Sequence, residues 1–392
     1  MTLPVALLLS PVRPDALGTG VARRAWLWVC LLAPGHRLLT VVIGGRPGAA
    51  DSRTAVPGDV IVLANPDAIC RRPVPDWITP GAGLANDLAA ALQDMAPARV
   101  VVFRLTLHGV AALLPAAWRA VTEIDFDDYE SRTRCSLAWL ALRAGRWRLA
   151  AAQLRAACAY AAAETAALGR YRAVHVAAPE DAAALRARCR HASLVVTANR
   201  IAAPATIAPA AAAGPGVLFV GTLGYLPNED AVLWLMRSIA PRLRRLVPEA
   251  RIAVAGAAAP SLAARMRQAG MICLGPLADL AEAYAGASVA VAPLRGGGGT
   301  KIKVLEAWQH QRPVVATRHA CRGLGALPDR HLLQADTATG FAQACARLLR
   351  DPALAARLAA AGHALLHSRF ALPAPSEAGA AGSCRQAGLV VR

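Results

Sequence analysis

The stretch Val289-Ala-Val-Ala-Pro-Leu-Arg-Gly-Gly-Gly-Gly-Thr-Lys-Ile-Lys-Val-Leu-Glu306 decides how this chain is read. Val289–Ala292 is a short continuous apolar run, the pattern of a parallel strand buried on both faces. Thr300 to His310 carries helical spacing. Between them stand four consecutive glycines, Gly296 to Gly299. A strand, a glycine loop and a helix start together cradle an anion. Glycines let backbone N–H groups approach it, and the helix N-terminus adds a partial positive charge. The chain's only two lysines, Lys301 and Lys303, fall here, while its other long basic side chains are all arginine. A lysine surviving in such a background points to a local need for an ammonium group, a compact point charge. The plainer alternative is a flexible surface loop, with Lys303 and Glu306 an exposed i,i+3 pair worth a few tenths of a kcal/mol. Glu306 favours the first reading, because a carboxylate one turn into the helix can accept hydrogen bonds from ribose hydroxyls, as acidic residues do in other nucleotide sites.

A length of 392 residues argues for two domains. Hydrophobic residues make up 56%, but alanine supplies much of this, and no stretch reads as a membrane span. The apolar start, Val5 to Leu9, is framed by Pro4 and Pro11 without a basic leader, so it reads as a first buried strand and not a signal peptide. The net charge of +18 suits anionic partners such as sugar nucleotides or acidic lipid headgroups. Nucleic acid is not expected: no binding motif occurs, and five Phe and five Tyr leave little for base stacking. Nine cysteines are scattered without C-x-x-C pairs or Cys/His ligand spacing. They read as free thiols of a reducing cytoplasm, with no zinc site. The expected location is cytoplasmic, with peripheral membrane contact.

Outward from the glycine loop, apolar strand and amphipathic helix alternate along the whole chain. Strands are expected at 5–9, 38–43, 59–63, 99–105, 121–126, 173–177 and 194–197, and again at 217–220, 251–255, 271–274, 289–292, 313–316 and 331–334. Helices between them include 23–32, 83–95, 132–142, 148–168, 181–190, 228–246, 300–310, 337–349 and 352–367. This rhythm predicts an α/β protein of two Rossmann-like doubly wound domains facing across a cleft. The first domain covers 1–201, an Ala/Pro-rich linker 202–215, and the second domain 216–371. The Ala/Gly/Ser-rich tail 372–392 is expected to be disordered.

The second half resembles the donor-binding domain of the group 1 (family 4) glycosyltransferases of the GT-B fold. The resemblance rests on Leu218-Phe-Val-Gly-Thr-Leu-Gly-Tyr-Leu-Pro-Asn-Glu-Asp-Ala231, Ala253-Val-Ala-Gly256, Gly275-Pro-Leu-Ala-Asp-Leu280, Ala292 to Ala307, Arg312 to Thr317 and Gly323-Leu324, about 150 residues in order. The first half is similar more weakly, through Asp15 to Gly20 ahead of a helix with Arg23 and Arg24, and through the acidic segment Asp125 to Arg132. The resemblance implies a retaining, metal-independent transferase that needs no cofactor. It would move a sugar from a nucleotide-diphosphate donor to a hydroxyl of a glycan or lipid-linked acceptor, as in polysaccharide biosynthesis. Two departures stand out. The family usually has two glutamates eight positions apart; Glu306 matches the second, and Gly298 takes the place of the first. The usual Arg/Lys pair after the domain's first strand is also missing, since Gly221 to Asn228 holds no cation. Lys301 and Lys303, with Arg295 nearby, are the natural substitutes for neutralising the diphosphate.

The site residues follow. Glu306, Lys303 and Asp128 are the catalytic candidates. Arg295, Gly297, Gly298, Gly299, Thr300, Lys301, Gly221 and Asn228 are the donor-binding candidates, Asn228 reading first as a helix N-cap after Pro227. Gly18, Thr19, Gly20, Arg104 and Asp127 lie on the acceptor side, beyond the carboxyl ends of strands where ligands sit in open α/β sheets. Adjacent carboxylates at 127, 128 and 130 raise one another's pKa, although helix capping explains them at least as well. His108 is read in a loop, His175 as a core residue and Trp308 as packing. The missing glutamate motivates a rival reading, a non-catalytic nucleotide-sugar-binding relative. A dinucleotide oxidoreductase is a third. It would want G-x-G-x-x-G after the first strand, and Gly18-Thr-Gly20-Val-Ala-Arg23 lacks the third glycine.

Overall fold

The computed structural model describes residues 3–16, 18–44, 54–65, 78–190, 192–201, 216–299 and 301–372. The expected linker 202–215, Thr300 and residues 373–392 of the expected tail lie outside the described residues.

The first sheet has seven strands: β1 (Val5–Ser10), β2 (Arg37–Ile43), β3 (Asp59–Leu63), β4 (Arg99–Phe103), β5 (Thr122–Asp127), β6 (Val174–Val176) and β7 (Leu194–Val196). All its pairings are parallel, in the order β3-β2-β1-β4-β5-β6-β7. Side chains of a strand alternate between faces, and in the central strands β1 and β4 both faces are covered. Leu7, Leu9, Val100 and Val102 enter one apolar core. Ala6, Leu8, Val101 and Phe103 enter a second, with Trp28. That is why these strands read as unbroken apolar runs.

The second sheet has six parallel strands: β8 (Gly216–Val220), β9 (Arg251–Ala255), β10 (Ile272–Gly275), β11 (Val289–Ala292), β12 (Val314–Ala316) and β13 (Leu333–Gln334). Their order is β10-β9-β8-β11-β12-β13. In both sheets the first strand lies beside the fourth, which makes the seam between them the topological switch point where open α/β sheets bind ligands.

By its internal contacts the chain forms two compact units. One is built within Met1–Ser131 and Arg155–Ala202, with Leu372; the other within Arg132–Leu154 and Ala203–Ala371. The division falls inside the helix Glu130–Arg143, so the segment 132–154, grouped by sequence with the first sheet, packs with the second. The helix expected over 228–246 is continuous but loosens in the middle: Leu226–Trp234 and Ala240–Leu246 are α-helical, and Leu235–Ile239 between them is a π turn. Such turns insert one extra residue per turn and escape pattern reading. His108 opens a one-turn helix, His108–Ala111, and not an irregular loop.

Candidate active site

The helix Ile302–Gln309 follows β11 and the glycine loop, and its first turn reaches the switch point of the second sheet. Lys303 Nζ lies over the Phe219 ring of β8, 4.5 Å from its centroid, and donates to Asn228 Oδ1 at 2.6 Å. Asn228 Nδ2 donates in turn to Thr222 O at 2.9 Å. The ammonium therefore stands at the loop that leaves β8, the place where the sequence holds no cation of its own. Gly221 makes room for it: a Cβ there would come 2.9 Å from the Asn228 amide and 3.0 Å from Lys303 Nζ. Burial lowers the Lys303 ammonium to about 7, with Lys301 pushing the same way and Glu306 opposing. Desolvation disfavours the charged form until an anion arrives to compensate. Asn228 is not the helix cap. Leu226 opens the helix and Tyr225 stands at the cap, so Asn228 is freed to position Lys303.

Lys301 has a different environment. It is buried, and its Nζ donates to Gly298 O and, at 2.8 Å, to Gly299 O. The loop is thus braced on its own carbonyls. Gly297 has φ of 102°, open to glycine but strained for other residues, and a Cβ there would meet Pro227 at 3.0 Å. Its carbonyl pairs with His319 Nε2 at 2.9 Å, and its N–H donates to Ser136 Oγ at 2.9 Å. Burial, with Lys301 close by, pushes His319 down to about 4, so the ring is neutral and its Nε2–H is the donor. Arg295 is held by the helix Leu226–Trp234. It makes a two-pronged pair with Asp230 at 2.9 and 2.7 Å and stacks on Trp234, 4.8 Å from the ring centroid. Bidentate pairs of this kind fix geometry as well as charge. Gly298 and Glu306 are half-buried.

The first unit gathers charge where β4 and β5 end. Arg24, 1% exposed, donates to both carboxylate oxygens of Asp125 at 2.8 and 2.9 Å, and also to Thr197 O and Asn199 Oδ1. Trp28 Nε1 donates to the same carboxylate. Burial would raise Asp125, but Arg24 and these hydrogen bonds hold it below the usual carboxylate range. Asp127 ends β5 with φ of 60°. Its Oδ1 is buried without a hydrogen bond, 3.7 Å from Arg24 Nε, and its Oδ2 lies 3.8 Å from Arg104 Nη1. Burial, aided by Asp125 and Glu130, keeps this carboxyl above its ordinary value despite the two arginines. Arg104, at φ 76°, also pairs with Glu130. The two acceptor-side candidates Arg104 and Asp127 thus come together, with half-buried Asp128 beside them. Thr19 caps the helix Gly20–Leu32 by accepting from Ala22 N at 3.4 Å, and Gly18 packs close under Ala22 and Asp15. His108 is tied to Tyr171 Oη at 2.7 Å. His175 is buried between Glu123 Oε2 at 3.0 Å and Thr197 Oγ1 at 2.8 Å.

Sequence reasoning did not find His319, Asp230 or Ser136. A lone His after Thr317 and an acid at the fifth residue of a helix carry no spacing signal, because their partners are distant in sequence. Among the described residues no three His, Cys, Asp or Glu side chains gather as a metal site would need. No described helix is long and apolar enough to cross a membrane.

Residues 214–351 match the family described as glycosyl transferases group 1. Several solved structures share the fold over nearly the whole chain. Sucrose-phosphate synthase (tll1590) from Thermosynechococcus elongatus superposes with TM-score 0.71 at 18% identity, covering 94% of this chain and 95% of that one. Anabaena Alr3699/HepE in complex with UDP-glucose gives 0.63 at 14%, covering 94% and 96%. TarM gives 0.68 at 8%, also covering 94% and 96%. A comparison with curated proteins gives no match. The chain therefore shares the GT-B fold with these structures, and its sequence is similar to group 1 glycosyl transferases over residues 214–351. What is matched in sequence is the second domain, the one that carries the glycine loop and both lysines.

Proposed function

We propose that the chain transfers a sugar from a nucleotide-diphosphate donor to a hydroxyl of a glycan or lipid-linked acceptor, with retention and without a divalent metal. The observation that carries this is Lys303: an ammonium held over Phe219 at the switch point, within reach of the loops after β8 and β11. As the bond from the anomeric carbon to the diphosphate breaks, its electron pair goes to the diphosphate, and charge grows there. Lys303, the glycine-loop amides and the start of the helix Ile302–Gln309 would stabilise that charge, the role a metal plays elsewhere. Lys301 would shape the loop more than touch the donor, since two of its three donors already serve loop carbonyls. Glu306 would hold the ribose. Arg104 and Asp127, with Gly18, Thr19 and Gly20, would serve the acceptor, and Asp128 is the candidate to receive its proton.

HepE is solved with UDP-glucose and TarM with UDP, so uridine donors come first. The test is a thermal-shift screen with UDP-, GDP- and dTDP-sugars, followed by transfer assays with the donor that stabilises. Donor binding without transfer or hydrolysis would favour the non-catalytic reading that the glycine at 298 motivates. No stabilisation by any donor would sink the proposal.

A further inference from the structure

Between Ser131 and Glu164 the chain has six arginines and no acidic residue. Within this stretch the helices Glu130–Arg143 and Trp147–Leu168 meet at a short turn. Four large apolar side chains stand out in solvent along it: Trp139 is 45% exposed, Leu142 56%, Trp147 65% and Leu154 48%. Residues 142 to 148, Leu-Arg-Ala-Gly-Arg-Trp-Arg, are exposed without a break. Arg143 stacks on Trp139 at 4.8 Å and Arg148 on Trp147 at 5.0 Å, so each exposed indole has a guanidinium over its face. The neighbouring face of the first helix is used inward, with Leu140 and Ser136 against the glycine loop.

We infer that this helical turn is a docking surface for an anionic lipid bilayer, with Trp139, Leu142, Trp147 and Leu154 entering the headgroup boundary and Arg143 and Arg148 meeting lipid phosphates. Indoles favour the boundary between water and hydrocarbon, and arginine keeps its charge in the headgroups while its stem lies along apolar surface. Charge selects this occupant over the others. A second copy would bring six more arginines to a stretch with no acidic residue of its own, where Glu229 already pairs with Arg146, against a net +18 on each chain. A nucleic acid would suit the arginines but would leave Leu142 and Leu154 in water. It would also compete with the guanidiniums for the indole faces. The inference does not depend on the identity of the donor or on transfer itself.

The full chain is to be sedimented with vesicles of phosphatidylcholine alone and with about 30% phosphatidylglycerol, with tryptophan emission recorded and brominated lipid as a depth-sensitive quencher. Wild type should bind the anionic vesicles only, shift its emission to the blue and be quenched. Trp139→Ser/Trp147→Ser should lose both the shift and the binding. Arg143→Glu/Arg148→Glu should weaken binding by roughly tenfold or more, since each arginine near a charged bilayer contributes about a factor of five. Melting curves check folding, and the charge reversal, confined to exposed positions, keeps the test alive if the tryptophan variant is unstable. The inference is overturned if wild type ignores anionic vesicles or if both variants bind like wild type. It is also overturned if the same substitutions abolish self-association or RNA binding in the absence of any lipid effect.

Discussion

Lys303 makes donor binding a proton-uptake reaction. With its ammonium lowered to about 7, the empty site is half-charged at pH 7 and mostly neutral at pH 8. A diphosphate beside it favours the charged form and returns the pKa toward or above the ordinary lysine value. Binding should then take up ~0.5 proton at pH 7 and ~0.9 at pH 8, and almost none at pH 6, by the difference in bound protons between the two states. Above pH 7 the dissociation constant should rise about tenfold per pH unit until the complex's own pKa is reached. An intact nucleotide sugar is the right ligand, because its two phosphates are diesters of the pyrophosphate and carry no proton to exchange in this range. His319, at about 4, does not titrate there either.

The assay is calorimetry at pH 6, 7 and 8 in two buffers of different ionisation enthalpy, which reads proton uptake directly. Lys303→Met should bind weakly with no uptake at any pH. Lys303→Arg should bind with no pH slope, because a guanidinium stays charged throughout. Uptake near zero in wild type at pH 8, or a slope that persists in Lys303→Arg, refutes the assignment of the diphosphate to this side chain.

Glu306→Ala should abolish transfer and weaken donor binding while the melting temperature stays within a few degrees; wild-type affinity in this variant would remove it from the site. Transfer should survive exhaustive EDTA treatment, and restoration of a lost rate by Mg²⁺ or Mn²⁺ would reject the metal-free reading. Gly221→Ala should raise the donor KM without unfolding the protein, since the new methyl group pushes Lys303 Nζ and the Asn228 amide from their places; an unchanged KM would separate Lys303 from the donor. Asp125→Asn should destabilise the first unit by about 3–5 kcal/mol, because the buried Arg24 guanidinium loses its two-pronged carboxylate partner and keeps only Asp127 at 3.7 Å, and equilibrium denaturation reads this directly.

The central strands were legible because a parallel strand covered on both faces must be apolar without interruption; β5, Thr-Glu-Ile-Asp-Phe-Asp, alternates instead, and β3, β7 and β10 leave Val62, Val196 and Ile272 exposed yet still stand out between helices. Edges moved by a residue or two: β5 extends through Asp127, and β13 shrinks to Leu333–Gln334. The glycine loop was legible because glycine and lysine are each rare enough in combination to mark a place. What could not be read was partnership across sequence. Arg24 finds Asp125 across 101 residues, Arg295 finds Asp230 across 65, and Lys303 finds Asn228 across 75. The packing of residues 132–154 with the second unit was hidden for the same reason. Sequence alone ranked Lys303 as catalytic and Lys301 as donor-binding without a structural reason; their environments supply one that separates them, Lys303 on Asn228 and Phe219 and Lys301 on the loop's carbonyls.

That separation also explains why lysine persists at 303 in a chain that otherwise uses arginine. The half-buried Lys303 sets its ammonium against Phe219 and Asn228, where only Glu306 offsets a permanent charge's lost hydration when no donor is present. A lysine can shed its proton in the empty site and regain it when the diphosphate enters; an arginine cannot. The sign follows from linkage. A lysine whose folded pKa is lowered costs stability wherever it is charged, so the folded state gains stability as pH rises from about 7 toward the unfolded value near 10.5. Below pH 7 the cost is full, at most about 5 kcal/mol for a shift of this size. Lys303→Met should therefore be more stable than wild type at pH 6, with the gain shrinking toward pH 10. Lys303→Arg should be less stable than Lys303→Met at every pH, and denaturant midpoints across that range measure both. If the arginine variant is as stable as the methionine variant and wild-type stability is flat between pH 6 and 9, the ammonium at 303 is not desolvated, and burial no longer accounts for the choice of lysine over arginine.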